Sequence, residues 1–397
     1  MNALLNEVCA KFTLPQETKA AGIYPYYKPI SSGQDPVVKM ADGSEVLMFG
    51  SNSYLGLSDD PRLKEAAIKA IEKYGTSCSG SRFLNGTLDI HEELEAKLAK
   101  FVGKEAAVTF STGFQVNLGV VSALGGRGGY ILLDDTDHAC IIDGSRLSWS
   151  TVYKFKHNDM SALEQKLKVC EAEAPKLIVV DGVYSMLGDL CPLPQLCELA
   201  EKYNAAVMVD DAHGLGVFGK NGSGTADYFG LTDKVDLIMG TFSKSFGSLG
   251  GFIAGSSTVI NFIKHTSRSL IFSASMTPAA VAAASRALDI MQEEPERLEH
   301  LWDITRYAWK KFRENGFDIN ATQSPIIPLM VRDTTKALTV VKLAYKEGVF
   351  ITPVIAPAVA EKDVLIRFAL MATHTKEHID IAVEKLTKVF KQVGIIE

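Results

Sequence analysis

The stretch from Val235 to Gly255 constrains this chain most, because it joins a short apolar run to a lysine and a series of glycines. The run from Val235 to Met239 is typical of a buried strand. It is followed by Gly240, two hydroxyl residues and Lys244, and then by glycines that permit tight turns. We therefore expect Lys244 at the end of a strand, close to hydroxyl and backbone N–H groups.

The surroundings of Lys244 suit a cofactor that carries both an aldehyde and a phosphate. The amine can form an imine with the aldehyde, while the hydroxyls of Thr241 and Ser243 and nearby N–H groups bind the phosphate. Pyridoxal phosphate has both groups. A nucleotide-binding P-loop is excluded, because it needs a glycine directly before the lysine, where this chain has Ser243. An exposed lysine beside a turn is the alternative that this stretch alone leaves open.

The composition is that of a large globular protein. The chain has 397 residues, of which 47% are hydrophobic and 22% charged, so it can bury a sizeable core and should form two domains. A net charge of -6 without basic runs argues against nucleic-acid binding and favours small-molecule partners. Six scattered cysteines predict neither a metal site nor a disulfide framework, which fits a reducing cytoplasm. No apolar run is long enough for a transmembrane helix, and contact with a membrane surface stays open.

Apolar strands that end in acids alternate with helices in the middle of the chain. Lys176 to Asp181 and Ala205 to Asp210 are two such strands, and a helix is predicted between them over Leu193 to Lys202. This alternation predicts parallel strands with crossover helices, whose ligands bind beyond the carboxyl ends of the strands. The residues expected at that edge are Ser185, Asp210, Asp211, His213 and Lys244.

Asp210 is the most informative of these residues. A carboxylate that ends an otherwise apolar strand is costly to bury unless a cation lies beside it. A protonated pyridine nitrogen would be such a cation. Capping of the following turn is the alternative.

Other segments place polar groups where a ligand can bind. The strand predicted over Ala106 to Phe110 turns into a helix, so the N–H groups of Gly113 and Phe114 would be free to bind a phosphate. His138 follows a strand that ends at Asp134, and is either a ligand contact or an ordinary surface or core histidine.

Two further residues have the same ambiguity. Arg367 lies within an apolar strand, where its guanidinium would bind either a substrate carboxylate or an internal acid. Asn52 follows the strand break at Gly50, and is either a ligand contact or a turn residue.

We predict an α/β fold with a large, mainly parallel sheet and a smaller αβ unit at the C-terminus. Residues 1–45 form an N-terminal arm with a hairpin around Asp42-Gly43, residues 46–285 a large cofactor-binding domain, and residues 286–397 a small domain. One long helical stretch is expected across this boundary, ending at Phe312.

Six short motifs follow one another along most of the chain. They are Asn52-Ser-Tyr-Leu-Gly56, Ser111-Thr-Gly-Phe114, Asp137-His138, Val209-Asp-Asp-Ala-His213, Thr241-Phe-Ser-Lys244 and Ile366-Arg367. In type and order they resemble those of the α-oxoamine synthases, pyridoxal phosphate enzymes of fold type I, the aspartate aminotransferase fold. Enzymes of this family condense an amino acid with an acyl-CoA and release CO2.

Three more segments resemble the members from Bacteroidetes that join L-serine to palmitoyl-CoA, giving 3-oxosphinganine. They are Phe83-Leu-Asn-Gly-Thr87, Tyr184-Ser-Met-Leu-Gly-Asp189 and Met371-Ala-Thr-His-Thr375. Relatives that use glycine usually carry Asp or Glu where Leu187 stands. The resemblance thus implies L-serine and a long-chain acyl-CoA as substrates, and a cytoplasmic homodimer with its site at the subunit interface.

The resemblance also implies residue roles. Lys244 would hold the cofactor and act as the base at the substrate α-carbon, and Asp210 would keep the pyridine nitrogen protonated. His213 and Ser185 would hydrogen-bond the ring oxygen. His138 would stack on the ring and help to orient the serine carboxylate and the thioester.

The remaining roles concern the phosphate and the substrate carboxylate. Asn52 and Arg367 would bind the carboxylate. The phosphate ligands would be Gly113, Phe114, Thr241, Ser243 and, from the neighbouring subunit, Ser273.

The family leaves other substrates open: glycine with acetyl-CoA, alanine with pimeloyl-CoA, glycine with succinyl-CoA, or cysteate with a fatty acyl-CoA. A non-catalytic regulatory subunit is an alternative of another class. The presence of Lys244, Asp210 and His138 argues against it. An acyl chain needs an apolar groove, for which the segment from Val349 to Val359 is one candidate. The other interpretation of that segment is a core strand with its exit loop.

Overall fold

The computed structural model describes residues 2–397, within which there are thirteen strands and fifteen α-helices. The strands are β1 (Val37–Lys39), β2 (Glu45–Met48), β3 (Ala106–Phe110), β4 (Tyr130–Asp134), β5 (Thr151–Phe155), β6 (Lys176–Asp181), β7 (Ala206–Asp210), β8 (Leu237–Thr241), β9 (Gly251–Gly255), β10 (Ile326–Met330), β11 (Val349–Phe350), β12 (Thr352–Val354) and β13 (Leu365–Ala369). The helices are α1 (Ala3–Ala10), α2 (Leu14–Ala20), α3 (Pro61–Tyr74), α4 (Asp89–Phe101), α5 (Gly113–Leu124), α6 (Ala139–Arg146), α7 (Met160–Val169), α8 (Leu193–Lys202), α9 (Thr225–Tyr228), α10 (Ser257–Thr266), α11 (Arg268–Ile271), α12 (Pro278–Glu293), α13 (Glu296–Glu314), α14 (Thr334–Lys346) and α15 (Lys376–Val393).

Seven strands form the large sheet, in the order β3-β9-β8-β7-β6-β4-β5. The strands from β8 to β5 are parallel, and β9 runs antiparallel to both of its neighbours. Alternate residues of β6 enter different cores, Ile178 and Val180 one core and Leu177 and Val179 the other. The sheet is therefore packed on both faces, and the predicted large, mainly parallel sheet is confirmed.

The parallel strands bring acids together at one edge of the sheet. Asp181 ends β6 and Asp210 ends β7, and these two residues are direct neighbours in the strand register. Strand β8 ends beside them at Thr241, three residues before Lys244. The predicted meeting of strand ends at one edge is therefore correct.

Two predicted elements are wrong in part. The sequence predicts tight turns throughout the glycines after Lys244, whereas Gly251–Gly255 form the buried strand β9. Glycine is required at position 251 by packing, because a Cβ there would lie 2.8 Å from the Cα of Gly113. The long helix expected to reach Phe312 is two helices, α12 and α13, since Glu294 leaves helical geometry directly before Pro295.

Two three-stranded sheets lie outside the large one, in the orders β1-β2-β11 and β10-β13-β12. Strands β1 and β2 pair antiparallel, which confirms the hairpin predicted around Asp42-Gly43. The boundary predicted near residue 285 falls inside α12, and the division into residues 1–45, 46–285 and 286–397 stays a prediction. Within residues 2–397, none of the helices combines the length and apolar character needed to cross a membrane.

A buried ion pair fixes the strand that leads into the predicted phosphate loop. Glu95 in α4 binds Arg82, and it also accepts hydrogen bonds from the N–H and the hydroxyl of Thr109 in β3, at 2.8 and 2.9 Å. The two charged side chains are only 6% and 8% exposed. Burial opposes ionisation of Glu95, but the hydrogen bond and charge of Arg82 outweigh it and lower the pKa of Glu95.

Replacing Glu95 by glutamine should destabilise the fold, because it keeps the side-chain shape but leaves Arg82 buried without a counter-charge. We expect Glu95→Gln to lower the free energy of unfolding by about 3–5 kcal/mol, measured by urea denaturation. The matched control is Glu92→Gln, which changes an exposed residue of the same helix and should unfold like the wild type. Equal losses in the two variants would contradict this interpretation.

Candidate active site

A cavity of about 260 Å³ lies at the carboxyl ends of β6, β7 and β8. Its lining residues are Thr112, Gly113, Phe114, His138, Cys140, Asp181, Ser185, Asp210, Ala212, His213, Met239, Thr241, Ser243, Lys244, Leu249 and Gly250. Nine of the twelve predicted site residues are in this set, and the exceptions are Asn52, Ser273 and Arg367. A larger cavity, between α13 and the segment after Val217, contains none of the twelve. Most of the predicted residues therefore lie together in one cavity.

Lys244 projects into the cavity from the segment after β8. Removal from water lowers the pKa of its amine to about 8, while the nearby Asp210 and Asp181 carboxylates act in the opposite direction. The neutral amine is the form that attacks an aldehyde. The surroundings of Lys244 thus make its reactive form far more available near neutral pH than that of an ordinary lysine.

The two adjacent acids after β7 face different surroundings. Asp210 is 4% exposed and lines the cavity, where it accepts hydrogen bonds from Asn117 Nδ2 at 2.5 Å and the Ala212 N–H at 3.0 Å. Asp211 instead accepts bonds from the N–H and hydroxyl of Thr225, and burial raises its pKa to about 7. Asp210 makes no ion pair with the described residues. Asp210, not Asp211, therefore presents a buried carboxylate to a ligand.

The part of the cavity at the start of α5 is suited to an anion. Helix α5 begins at Gly113, so the first N–H groups of this helix have no partner within it and point toward the cavity. The hydroxyls of Thr241 and Ser243 lie 3.0 Å apart beside it. A Cβ at Gly113 would come within 2.7 Å of the Thr241 hydroxyl, so this position must be glycine for the helix to approach β8 so closely.

His213 is joined to Arg367 through a tyrosine. The Tyr54 hydroxyl lies 2.6 Å from His213 Nδ1 and accepts a hydrogen bond from Arg367 Nη2 at 3.0 Å. Arg367 Nε donates to the carbonyl of Ser185 at 2.7 Å. The guanidinium, only 7% exposed, is thus held by neutral oxygens, and the internal acid weighed as its partner is absent among the described residues.

His138 caps the start of α6 and lies at the cavity wall. Its N–H donates to Asp181 at 2.9 Å, and its Nδ1 lies 2.8 Å from the thiol of Cys140. The pKa of His138 is lowered, mainly because the ring is buried. The charge of Asp210 opposes this effect, and that of Lys244 adds to it. A neutral ring at this position can stack on a planar ligand without adding charge.

Sequence reasoning missed three residues of this site. Tyr54 lies within the motif Asn52-Ser-Tyr-Leu-Gly56, in which the sequence predicts only Asn52 as a site residue. Asn117 looks like an ordinary residue inside a helix, and Asp181 like the end of an apolar strand. The first two become functional only through contacts with His213 and Asp210, which are remote in sequence.

Two predicted residues lie beside the cavity rather than in its wall. The Asn52 side-chain oxygen is 3.5 Å from the Tyr54 hydroxyl. Ser273 accepts a hydrogen bond from Gln115 of its own chain at 2.9 Å. Its assignment to the site of a neighbouring subunit stays a prediction.

The residues present fit pyridoxal phosphate. The start of α5 with Thr241 and Ser243 suits the phosphate, Lys244 supplies an amine for the aldehyde, and Asp210 offers a carboxylate to a cationic ring nitrogen. Each charged or reactive part of the cofactor has a matching group. A simple anion would leave Asp210 without a cation.

Comparisons with known proteins agree with this arrangement. The model of the family "Aminotransferase class I and II" matches residues 44–386. The chain is 61% identical to a serine palmitoyltransferase of Bacteroides ovatus and 60% identical to one of Bacteroides thetaiotaomicron, in each case over 99% of this chain and 100% of the relative. A structure of serine palmitoyltransferase from S. paucimobilis with a bound PLP-myriocin aldimine has a TM-score of 0.96, with 32% identity and complete coverage of both chains. The chain therefore belongs to the aminotransferase class I and II family, and within it to the α-oxoamine synthases, which are pyridoxal phosphate enzymes of fold type I.

Proposed function

We propose that this enzyme condenses L-serine with palmitoyl-CoA and releases CoA and CO2, the reaction of a serine palmitoyltransferase. The observation that carries the reaction type is the single cavity that is lined by Lys244, by the anion site at the start of α5 and by the buried carboxylate of Asp210. The likeness to serine palmitoyltransferases over the whole chain supports serine and a long-chain acyl-CoA as the substrates.

When bound, pyridoxal phosphate supplies an aldehyde for imine formation and a ring that accepts electron density from the amino acid. Asp210 would hold the proton on the ring nitrogen, with its carboxylate kept in place by Asn117. His213 and Ser185 would donate hydrogen bonds to the ring oxygen, and His138 would stack on the ring. The phosphate would be bound by Gly113, Phe114, Thr241, Ser243 and, from a second subunit, Ser273.

Lys244 and Arg367 act on the amino acid. The Lys244 amine, with its lowered pKa, removes the proton from the substrate α-carbon and later returns one. Arg367 binds the serine carboxylate together with Asn52. In Arg367, Nε and Nη2 are held by Ser185 and Tyr54, which leaves Nη1 without a partner among the described residues.

An apolar cluster next to Ser185 offers a site for the acyl chain. Met330, Val354 and Leu365 are buried in it, and the partly buried Met186, Leu187 and Val359 pack against them. Met186 and Leu187 directly follow the cavity residue Ser185 in the chain, which brings the cluster close to the cavity. The segment from Val349 to Val359 has features of both structures predicted for it. Val349 and Ile351 are buried, as in a core strand, whereas Val359 is partly buried at the apolar cluster, as in the wall of a groove.

Turnover of defined substrates tests the proposed function. The purified protein with pyridoxal phosphate should convert L-serine and palmitoyl-CoA into 3-oxosphinganine, measured by mass spectrometry and by CO2 release from carboxyl-labelled serine. Lys244→Ala should lose this turnover and the borohydride-sensitive absorbance of the imine. Faster turnover of cysteate, glycine or alanine than of serine in the same assay would overturn the serine assignment.

Asp210→Asn tests the ring-nitrogen partner. The substitution keeps the shape but removes the negative charge that holds the ring proton, so we expect kcat to fall roughly 10²-fold, a loss of about 2.7 kcal/mol. CoA release should be measured per bound cofactor. The matched variant Asp211→Asn changes the neighbouring acid outside the cavity and should keep turnover near that of the wild type. Comparable kcat in wild type and Asp210→Asn would mean that the wrong acid is assigned.

A bulky residue in the apolar cluster should shorten the preferred acyl chain. If Val359→Trp displaces about two methylenes, each worth about 0.8 kcal/mol, kcat/KM for palmitoyl-CoA should fall roughly tenfold while that for shorter acyl-CoA is kept. Val169→Trp, at an exposed position of α7, is the control. An unchanged chain-length profile in Val359→Trp would place the acyl chain elsewhere.

A further inference from the structure

Tyr54 connects two site residues that belong to different sheets. Its side chain is fully buried, and its hydroxyl lies 2.6 Å from His213 Nδ1 and 3.0 Å from Arg367 Nη2. His213 follows β7 of the large sheet, and Arg367 lies in β13. One hydroxyl therefore joins the residue assigned to the cofactor ring to the residue assigned to the substrate carboxylate.

The proton positions follow from the donors and acceptors available. A guanidinium can only donate, so the Tyr54 hydroxyl oxygen accepts from Arg367. The hydroxyl proton then has two acceptors within reach, His213 Nδ1 at 2.6 Å and the side-chain oxygen of Asn52 at 3.5 Å. The longer distance is at the limit of hydrogen bonding, so the proton goes to Nδ1.

This arrangement decides which ring nitrogen of His213 carries the proton. Burial, with the nearby charges of Lys244 and Arg367, lowers the pKa of His213 well below its usual value, so the ring is neutral and has one N–H. With Nδ1 accepting from Tyr54, that proton is on Nε2. His213 lines the cavity, and its Nε2 makes no hydrogen bond to the described residues.

We propose that Tyr54 is a positioning residue that keeps the proton of His213 on Nε2 for donation into the cavity and, through the same hydroxyl, sets the position of the Arg367 guanidinium. The proposal depends on the proposed function only for the ligands of these two residues, which are the ring oxygen for His213 and the serine carboxylate for Arg367. Without Tyr54, Arg367 keeps only its bond to Ser185, and His213 can carry its proton on either nitrogen.

The protonation state of His213 tests the proposal without cofactor or substrate. Long-range ¹H–¹⁵N NMR spectra of the cofactor-free protein, labelled with ¹⁵N-histidine, report which ring nitrogen bears the proton, and His213→Gln assigns the signal. The wild type should show Nε2–H, and Tyr54→Phe should shift both ring-nitrogen resonances toward those of a tautomer mixture. A wild-type His213 protonated on Nδ1 would overturn the proposal even if Tyr54→Phe did not fold, and so would unchanged resonances in a folded variant.

Serine binding tests the second part. Loss of one hydrogen bond to Arg367 should weaken L-serine binding to the cofactor-loaded Tyr54→Phe protein about threefold to tenfold, measured by absorbance titration. The control Tyr184→Phe removes the hydroxyl of a buried tyrosine beside Ser185 that has no hydrogen-bond partner among the described residues, and should bind serine like the wild type. Equal affinities in the wild type and Tyr54→Phe would overturn this part. Failure of the wild type to convert serine and palmitoyl-CoA would overturn the proposed function but leave the NMR result standing.

Discussion

The buried carboxylate of Asp210 is the constraint on which the site depends. Burying such a charge without a cation costs several kcal/mol, and its two hydrogen bonds, from Asn117 and the Ala212 N–H, offset only part of that cost. The fold keeps the acid in place because β7 ends there and α5 carries Asn117 across it. The cationic ring nitrogen of the proposed cofactor orientation would complete the compensation, so a residue that is costly to bury on its own would favour cofactor binding.

If Arg367 binds the substrate carboxylate as proposed, the substrate site depends on the contact between the large sheet and the sheet β10-β13-β12. It lies in β13, yet its partners are Ser185, after β6, and Tyr54, in the segment between β2 and α3. Two neutral oxygens hold the guanidinium without compensating its positive charge, so the charge stays available to a substrate carboxylate. An internal acid in the same place would have compensated it. In the proposed function the sheet β10-β13-β12 would therefore contribute a binding group, and its packing on the large sheet would set the distance between that group and the cofactor residues.

The sequence predicted most of the architecture and nine of the residues that line the cavity, because a strand end followed by a polar residue is a local pattern. Lys244 and Asp210 were found in this way. Tyr54 and Asn117 were not, since each acts on a residue far along the chain, and no local pattern records such a contact. Strand β9 was missed for a related reason: its glycines serve close packing against Gly113, which resembles turn chemistry when only the sequence is considered.

The charges around the cavity also bear on the proposed orientation of the cofactor. Asp134 is paired with His157. Burial lowers the pKa of His157, but the hydrogen bonds and charges of Asp134 and Asp189 outweigh burial and raise this pKa to about 10. Burial and the neighbouring acids raise the pKa of Asp137 and of Asp181 well above the usual value. Asp210 lines the cavity and makes no ion pair with the described residues. A phosphate placed beside Asp210 would be repelled, whereas the start of α5 attracts it, so these charges favour the proposed orientation, with the phosphate at α5 and the ring nitrogen at Asp210.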